Sequence, residues 1–165
     1  MVARRRWRDT GRVKPAYRVR SVVNVVNLST PLGLLLALTA ARPSGGGPRL
    51  RGAGDGLLVA GGYRPPVPVA SAFTVGNVIL VRGDASGLPS DPRLLRHEAR
   101  HATQYAWCLG IVMIPLYLAC AGVSMALCGD WASFNPFERL AGLADGGYER
   151  RPLRPFLRPF LRGRR

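Results

Sequence analysis

Both histidines of the chain fall in one pentad, His97-Glu98-Ala99-Arg100-His101. This is the pattern H-E-x-x-H. Two histidines one helical turn apart can aim a ring nitrogen each at a single Zn²⁺. The glutamate after the first is turned by about 100° and can reach a water activated at that metal. Zinc brings the pKa of such water close to neutrality, and the glutamate then serves as general base. With two histidines and three glutamates in the chain, chance produces this arrangement on the order of 2 times in 10,000.

A catalytic zinc takes three protein ligands and leaves one position open. No third histidine exists, so a carboxylate must complete the set, and glutamates occur only at 98, 138 and 149. Glu138 opens the later segment "NPFERLAGLADGGY". The expected site is therefore metal-bound by His97, His101 and Glu138, with Glu98 catalytic. Asn135-x-x-Glu138 also has the spacing of a helix capping box, a competing use of that carboxylate. Asp145, two turns further if the helix continues, can orient a histidine or substitute as a ligand. Tyr148 is the residue that suggests itself for oxyanion stabilisation, outside this set.

These residues need elements to hold them. Asp91 and Pro92 are a helix cap and first position, and they predict a helix from Pro92 to about Cys108. On it Leu95, Ala99, Ala102 and Ala106 share one side. His97, Glu98, His101, Tyr105 and Cys108 share the other, with Arg93, Arg96 and Arg100 as a third stripe. Asn135 and Pro136 start a second helix that the pattern ends at Gly146-Gly147. "GLLVAGGY" (56–63) and "SAFTVGNVILVR" (71–82) read as β-strands joined by the proline-rich turn 64–70. Residues 21–41 read as a short apolar helix or helix pair starting near Ser29-Thr30-Pro31. The segments 42–48 and 83–92 read as loops.

The segment 72–106 resembles zinc metallopeptidases of the zincin-like H-E-x-x-H type with an extracellular contractile injection system core-type domain. They share a strand "a-T-x-G-x-x-I" followed by "L-x-x-H-E-x-x-H-x-x-Q". Thr74, Gly76, Ile79, Leu94, His97, Glu98, His101 and Gln104 carry the likeness, which extends more weakly to 135–148 and covers about half of the chain. The "FERLAGLADGGY" ending is also similar to a set of small proteins with the same motif order. The resemblance implies an α+β, zincin-like fold. In it a small sheet edge lies beside the active-site helix, followed by an apolar helical region and a Glu-bearing helix. It implies Glu138 as third ligand, Zn²⁺ as cofactor, and a peptide or protein substrate that can add to the sheet edge as a strand. Arg100 departs from the family, in which the two central motif positions are uncharged. The arginines then either face solvent or pair with Asp84 and Asp91, or else the site has lost its metal.

The net charge of +15 sits mostly at the ends: +7 in residues 1–20 and +6 in 149–165. That predicts a basic arm, a single domain over 21–148, and a basic Pro/Arg-rich tail with the repeat RPFL-RPFL. Such arms suit an anionic membrane surface. Nucleic acid is disfavoured, since no helix-turn-helix, RNA-binding aromatic motif or zinc finger accompanies them. Three cysteines in one apolar region, Cys108, Cys120 and Cys128, read as buried thiols rather than a disulfide framework. Residues 102–129 carry no charge and are long enough for a bilayer, but Gly110, Pro115 and Gly122 interrupt them. "PLGLLLALTAA" (31–41) resembles a signal-peptide core behind an overlong basic region. The expected location is cytoplasmic with possible membrane association, ahead of secretion. The function expected is a zinc-dependent, metallopeptidase-like hydrolase. The rival is a non-catalytic membrane-surface interaction protein retaining a degenerate metal site.

Overall fold

A computed structural model describes residues 14–41, 50–66, 70–83, 88 and 91–157. The distal parts of both basic arms, the expected loop 42–48, residues 67–69 of the expected turn, most of the expected loop 83–92 including Asp84, and the RPFL repeat beyond Leu157 lie outside the described residues.

The order of elements is α1 (Pro15–Val26), α2 (Ser29–Ala40), β1 (Arg51–Gly52), β2 (Leu58–Gly61), β3 (Ala72–Val75), β4 (Val78–Val81), α3 (Pro92–Trp107), α4 (Met113–Cys128) and α5 (Pro136–Ala141). The strands form one sheet in the order β1-β2-β4-β3, with β2 parallel to β4 and the other pairs antiparallel. This is the α+β arrangement expected: an H-E-x-x-H helix, an apolar helix, then a Glu-bearing helix.

β4 is one of the two inner strands, and its Val78, Ile79 and Leu80 are fully buried. Its two faces feed two apolar clusters. Val78 and Leu80 pack with Ala37, Tyr63, Val75, Tyr105 and Met113. Ile79 packs with Leu57, Val59, Ala72, Leu88 and Ala102, against which Leu94, Leu95 and Ala99 of α3 also lie. The small apolar face of α3 thus meets the sheet as its periodicity requires.

Several expectations are corrected. The strand read over 71–82 is a hairpin, β3 and β4, turning at Gly76-Asn77. Gly76 has φ +63, and a Cβ there would stand 2.4 Å from the Thr30 backbone nitrogen, so both conformation and space demand glycine. Residues 15–20, read as part of the basic arm, belong to α1. Arg20 is buried, with its guanidinium donating to the Asp55 carbonyl at 2.5 Å and lying over the Tyr17 ring. α2 does start at Ser29, as the Ser29-Thr30-Pro31 signal leads one to expect, behind a left-handed Leu28. The helix begun by Asn135 and Pro136 stops at Ala141, because Gly142 at φ +89 breaks it a turn before Gly146-Gly147. The charge-free stretch 102–129 bends at Gly110, but Pro115 sits in the first turn of α4 and Gly122 does not interrupt it. The three thiols are free and half-buried.

Candidate metal centre

α3 is started where the sequence places it. The Asp91 carboxylate accepts from the Arg93 and Leu94 backbone N–H groups at 3.0 and 3.2 Å, and Pro92 occupies the first position. From there helical geometry alone brings the two imidazoles together. The Nε2 atoms of His97 and His101 are 3.1 Å apart, and the rings meet edge to face.

α5 supplies the third group. The Asn135 side chain accepts from the Phe137 N–H at 3.1 Å and caps the helix by itself. Glu138 is then free to turn inward rather than close a capping box. Its Oε2 lies 3.2 Å from His97 Nε2 and its Oε1 3.6 Å from His101 Nε2. One ligand atom from each of the three residues lies within 4.8 Å of the others. His97 and Glu138 are each 2 % exposed and His101 is 7 % exposed.

The outer nitrogens decide what this cluster can hold. His97 Nδ1 faces the Gly142 carbonyl oxygen at 3.1 Å, and His101 Nδ1 faces the Gln104 side-chain oxygen at 2.8 Å. Both partners are acceptors, so each imidazole can carry a hydrogen on Nδ1, which leaves the inward Nε2 as the atom that a cation or a proton takes. Three electron-rich groups therefore converge in a buried space, and Glu138 Oε2 has no hydrogen-bond donor. Buried acceptors are not left so without cause. A cation at their centre satisfies all of them, and two imidazoles with one carboxylate are the donor set of a catalytic zinc.

The electrostatics agree. Burial pushes the Glu138 carboxyl up, but the two imidazoles and the Tyr117 hydroxyl, which donates to Oε1 at 2.5 Å, outweigh it and hold Glu138 well below the usual carboxylate range. Burial lowers His101, yet the pull of Glu138 and Glu98 leaves its pKa raised. A proton is thus the competitor of a metal here.

Glu98, also 2 % exposed, is kept out of this triangle. The Thr74 hydroxyl on β3 donates to Glu98 Oε2 at 2.7 Å. Burial raises the Glu98 pKa, partly offset by His101 and by the Thr74 hydrogen bond. A buried carboxyl held by Thr74 and raised in this way stands beside the triangle rather than in it.

A cavity of about 330 Å³ joins the groups, with His97, Glu98, His101 and Glu138 in its wall. β3 lines one side from Ala72 to Val75, and Leu36, Ile114, Tyr117, Leu118 and Tyr148 line others. Tyr148 stands with its ring 6.0 Å from that of His97.

Arg100 does not oppose the centre. Its guanidinium turns outward, donating to the Ala141 carbonyl at 2.6 Å and to the Asp145 carboxylate at 2.9 Å. Arg96 adds a contact to Asp145 at 3.6 Å. The expected partner Asp91 is engaged as a helix cap instead. Asp145 in turn neither ligates nor orients a histidine. The Gly142 carbonyl does the orienting, and Asp145 pins the 142–148 turn to α3. Gly146 lets that turn lie flat on His97, where a Cβ would meet the ring at 2.6 Å.

Sequence reasoning left three contributors without a role. Thr74 and Gln104 stood in the motif, Gln104 at the third position after His101, where a side chain on the same helical face can reach back. Gln104 also donates to the Phe137 carbonyl at 2.9 Å, tying α3 to α5. Tyr117 gave no signal, since its approach to Glu138 depends on the path of α4.

Fold and site together define a class: a zincin-like protein whose H-E-x-x-H helix is completed by a glutamate from a later helix, with the geometry of a zinc-hydrolase active site. No family model, curated protein or solved structure matches the chain.

Proposed function

We propose that this protein is a zinc-dependent metallohydrolase that cleaves peptide bonds. The observation that carries the reading is the buried convergence of His97, His101 and Glu138 with their acceptor atoms turned inward. A zinc ion there supplies Lewis acidity, which acidifies water and polarises a carbonyl. Glu98, held by Thr74 and raised by burial, takes the proton from the attacking water and returns it to the leaving amine. The Nδ1 contacts of His97 and His101 with Gly142 and Gln104 leave both Nε2 atoms to the metal.

β3 is an outer strand of the sheet and lies in the cavity wall. A substrate in extended form can add to it as a further strand, which presents its backbone carbonyls along the metal centre. This favours a polypeptide over a compact small molecule. The narrower kinship with the injection-system domain rests on the Thr74-x-Gly76 strand and Gln104.

Elemental analysis of the purified chain tests the reading. About one zinc per chain is expected, lost in His97→Ala. Glu98→Gln is expected to retain zinc and lose peptide hydrolysis. A folded, metal-free protein that takes up no zinc on titration would refute it.

A further inference from the structure

Two uncharged stretches, residues 21–41 and 102–129, meet at one end of the molecule. α1 and α2 form an elbow of 74°. There the Asn27 side chain donates to the Tyr105 carbonyl at 3.2 Å, and Gly110 abuts the Asn27 backbone. The elbow therefore touches the turn between α3 and α4. Around this joint Val26 and Leu28 are exposed, as are Trp107 at 83 % and Leu109 at 75 %. The surface continues along α4. The segment Gly110–Cys128 has a mean hydropathy of 2.2, yet only 22 % of it is buried. The core helix of a water-soluble protein is mostly buried. Here Leu116, Leu118 and Val123 stand outside. Contiguous apolar surface of this kind marks a binding face.

Charge identifies the occupant. The cations stand where the apolar surface ends. Lys14 and Arg18 are exposed at the start of α1. Past the end of α4, Arg154 donates through its backbone and side chain to the Leu127 and Met125 carbonyls at 3.0 and 3.2 Å. Arg150 and Arg151 are exposed nearby. An apolar knob with a cationic border complements a bilayer with anionic headgroups. A second copy of the chain would bring +15 against +15.

We propose that the α1–α2 elbow and α4 seat the protein in an anionic lipid bilayer, with the metal cavity opening beside the lipid. Leu118 is at once exposed on this surface and part of the cavity wall. The substrate is then an apolar polypeptide segment at the membrane. Only this last statement rests on the hydrolase reading; the seat itself needs no metal.

The test is flotation of the full chain with phosphatidylcholine vesicles, with and without phosphatidylglycerol, with zinc content read on the same samples. Wild type is expected to float with the anionic vesicles and to stay bound in high salt. The double variant Leu28→Glu, Leu109→Glu is expected to float at least about tenfold less, with zinc content unchanged. Binding that high salt abolishes and the double variant leaves intact would overturn the seat, as would a discrete dimer that binds no vesicles. Vesicle binding without zinc uptake keeps the seat and removes the hydrolase reading. Zinc uptake without vesicle binding does the reverse.

Discussion

α3 and α4 are neighbours of equal length, 16 residues each, and they solve opposite problems. α3 carries three arginines, a glutamate and two histidines, and it buries the histidines and the glutamate. Each of those buried polar groups has a partner or faces the metal position. α4 carries no charge at all, and among its residues only Met113, Ala121 and Ser124 are buried. Polar groups are hidden where they are satisfied, and apolar ones are left outside where water gives them no reason to be. Burial follows chemistry in α3, whereas in α4 most of an apolar helix stays outside the core. A helix apolar on every side has no face that dictates how it packs.

The largest expected effect belongs to α3. Glu98→Gln should lower kcat for peptide hydrolysis by about 10²- to 10⁴-fold with bound zinc unchanged. A variant that kept its rate would reduce α3 to a metal-binding scaffold.

Next comes the outer support of the histidines. Gln104→Ala removes the acceptor on His101 Nδ1 and the tie to Phe137. Zinc affinity, measured by competition with a chelator, should fall by about 10- to 100-fold.

Thr74→Val probes the tuning of Glu98 by pH. The base must be deprotonated, so the rate falls as pH drops through its pKa. The Thr74 hydrogen bond lowers that pKa, so its loss should move the acid limb of the profile to higher pH. Stability gives a matching sign in the metal-free protein. The folded-state pKa of Glu98 is raised, so its contribution is fully present below the unfolded value. That contribution is lost as pH rises through the folded one. Glu98→Gln should remove that part of the decline in a denaturation series.

A last pair of variants sharpens the contrast from the α4 side, in stability rather than in rate. Met113→Ala, in the core, should cost about 2–5 kcal/mol in unfolding free energy. Leu116→Ala, on the exposed face, should stay within about 0.5 kcal/mol in the absence of lipid. Equal losses would mean that α4 is packed on both sides.

Much of the site was legible because its signals are local. H-E-x-x-H fixes two ligands and a base by helical spacing, and Asp91-Pro92 fixes where that helix begins. Glu138 could be reached by elimination, as glutamates are scarce. Other parts were misread for equally specific reasons. The Gly76-Asn77 turn hid inside an apolar run, although Gly-Asn between two such runs is a hairpin signal. Gly142 ended α5 earlier than the more conspicuous Gly146-Gly147. Asp145 was placed on a continuing helix, whereas the early break turned it toward Arg100.

The sequence by itself determined which residues can bind a metal and take a proton, since spacing along one helix is set by backbone geometry. Only the tertiary structure decided that Asn135 caps alone and releases Glu138, that Gly142 and Gln104 face the outer histidine nitrogens, and that Arg100 turns to Asp145. The Asn135 cap and the Gln104 contact are local, while the contacts of His97 with Gly142, of Arg100 with Asp145 and of Glu138 with the histidines join segments about 40 residues apart. Their geometry depends on how α3, α4 and α5 pack, which no local pattern of residues encodes.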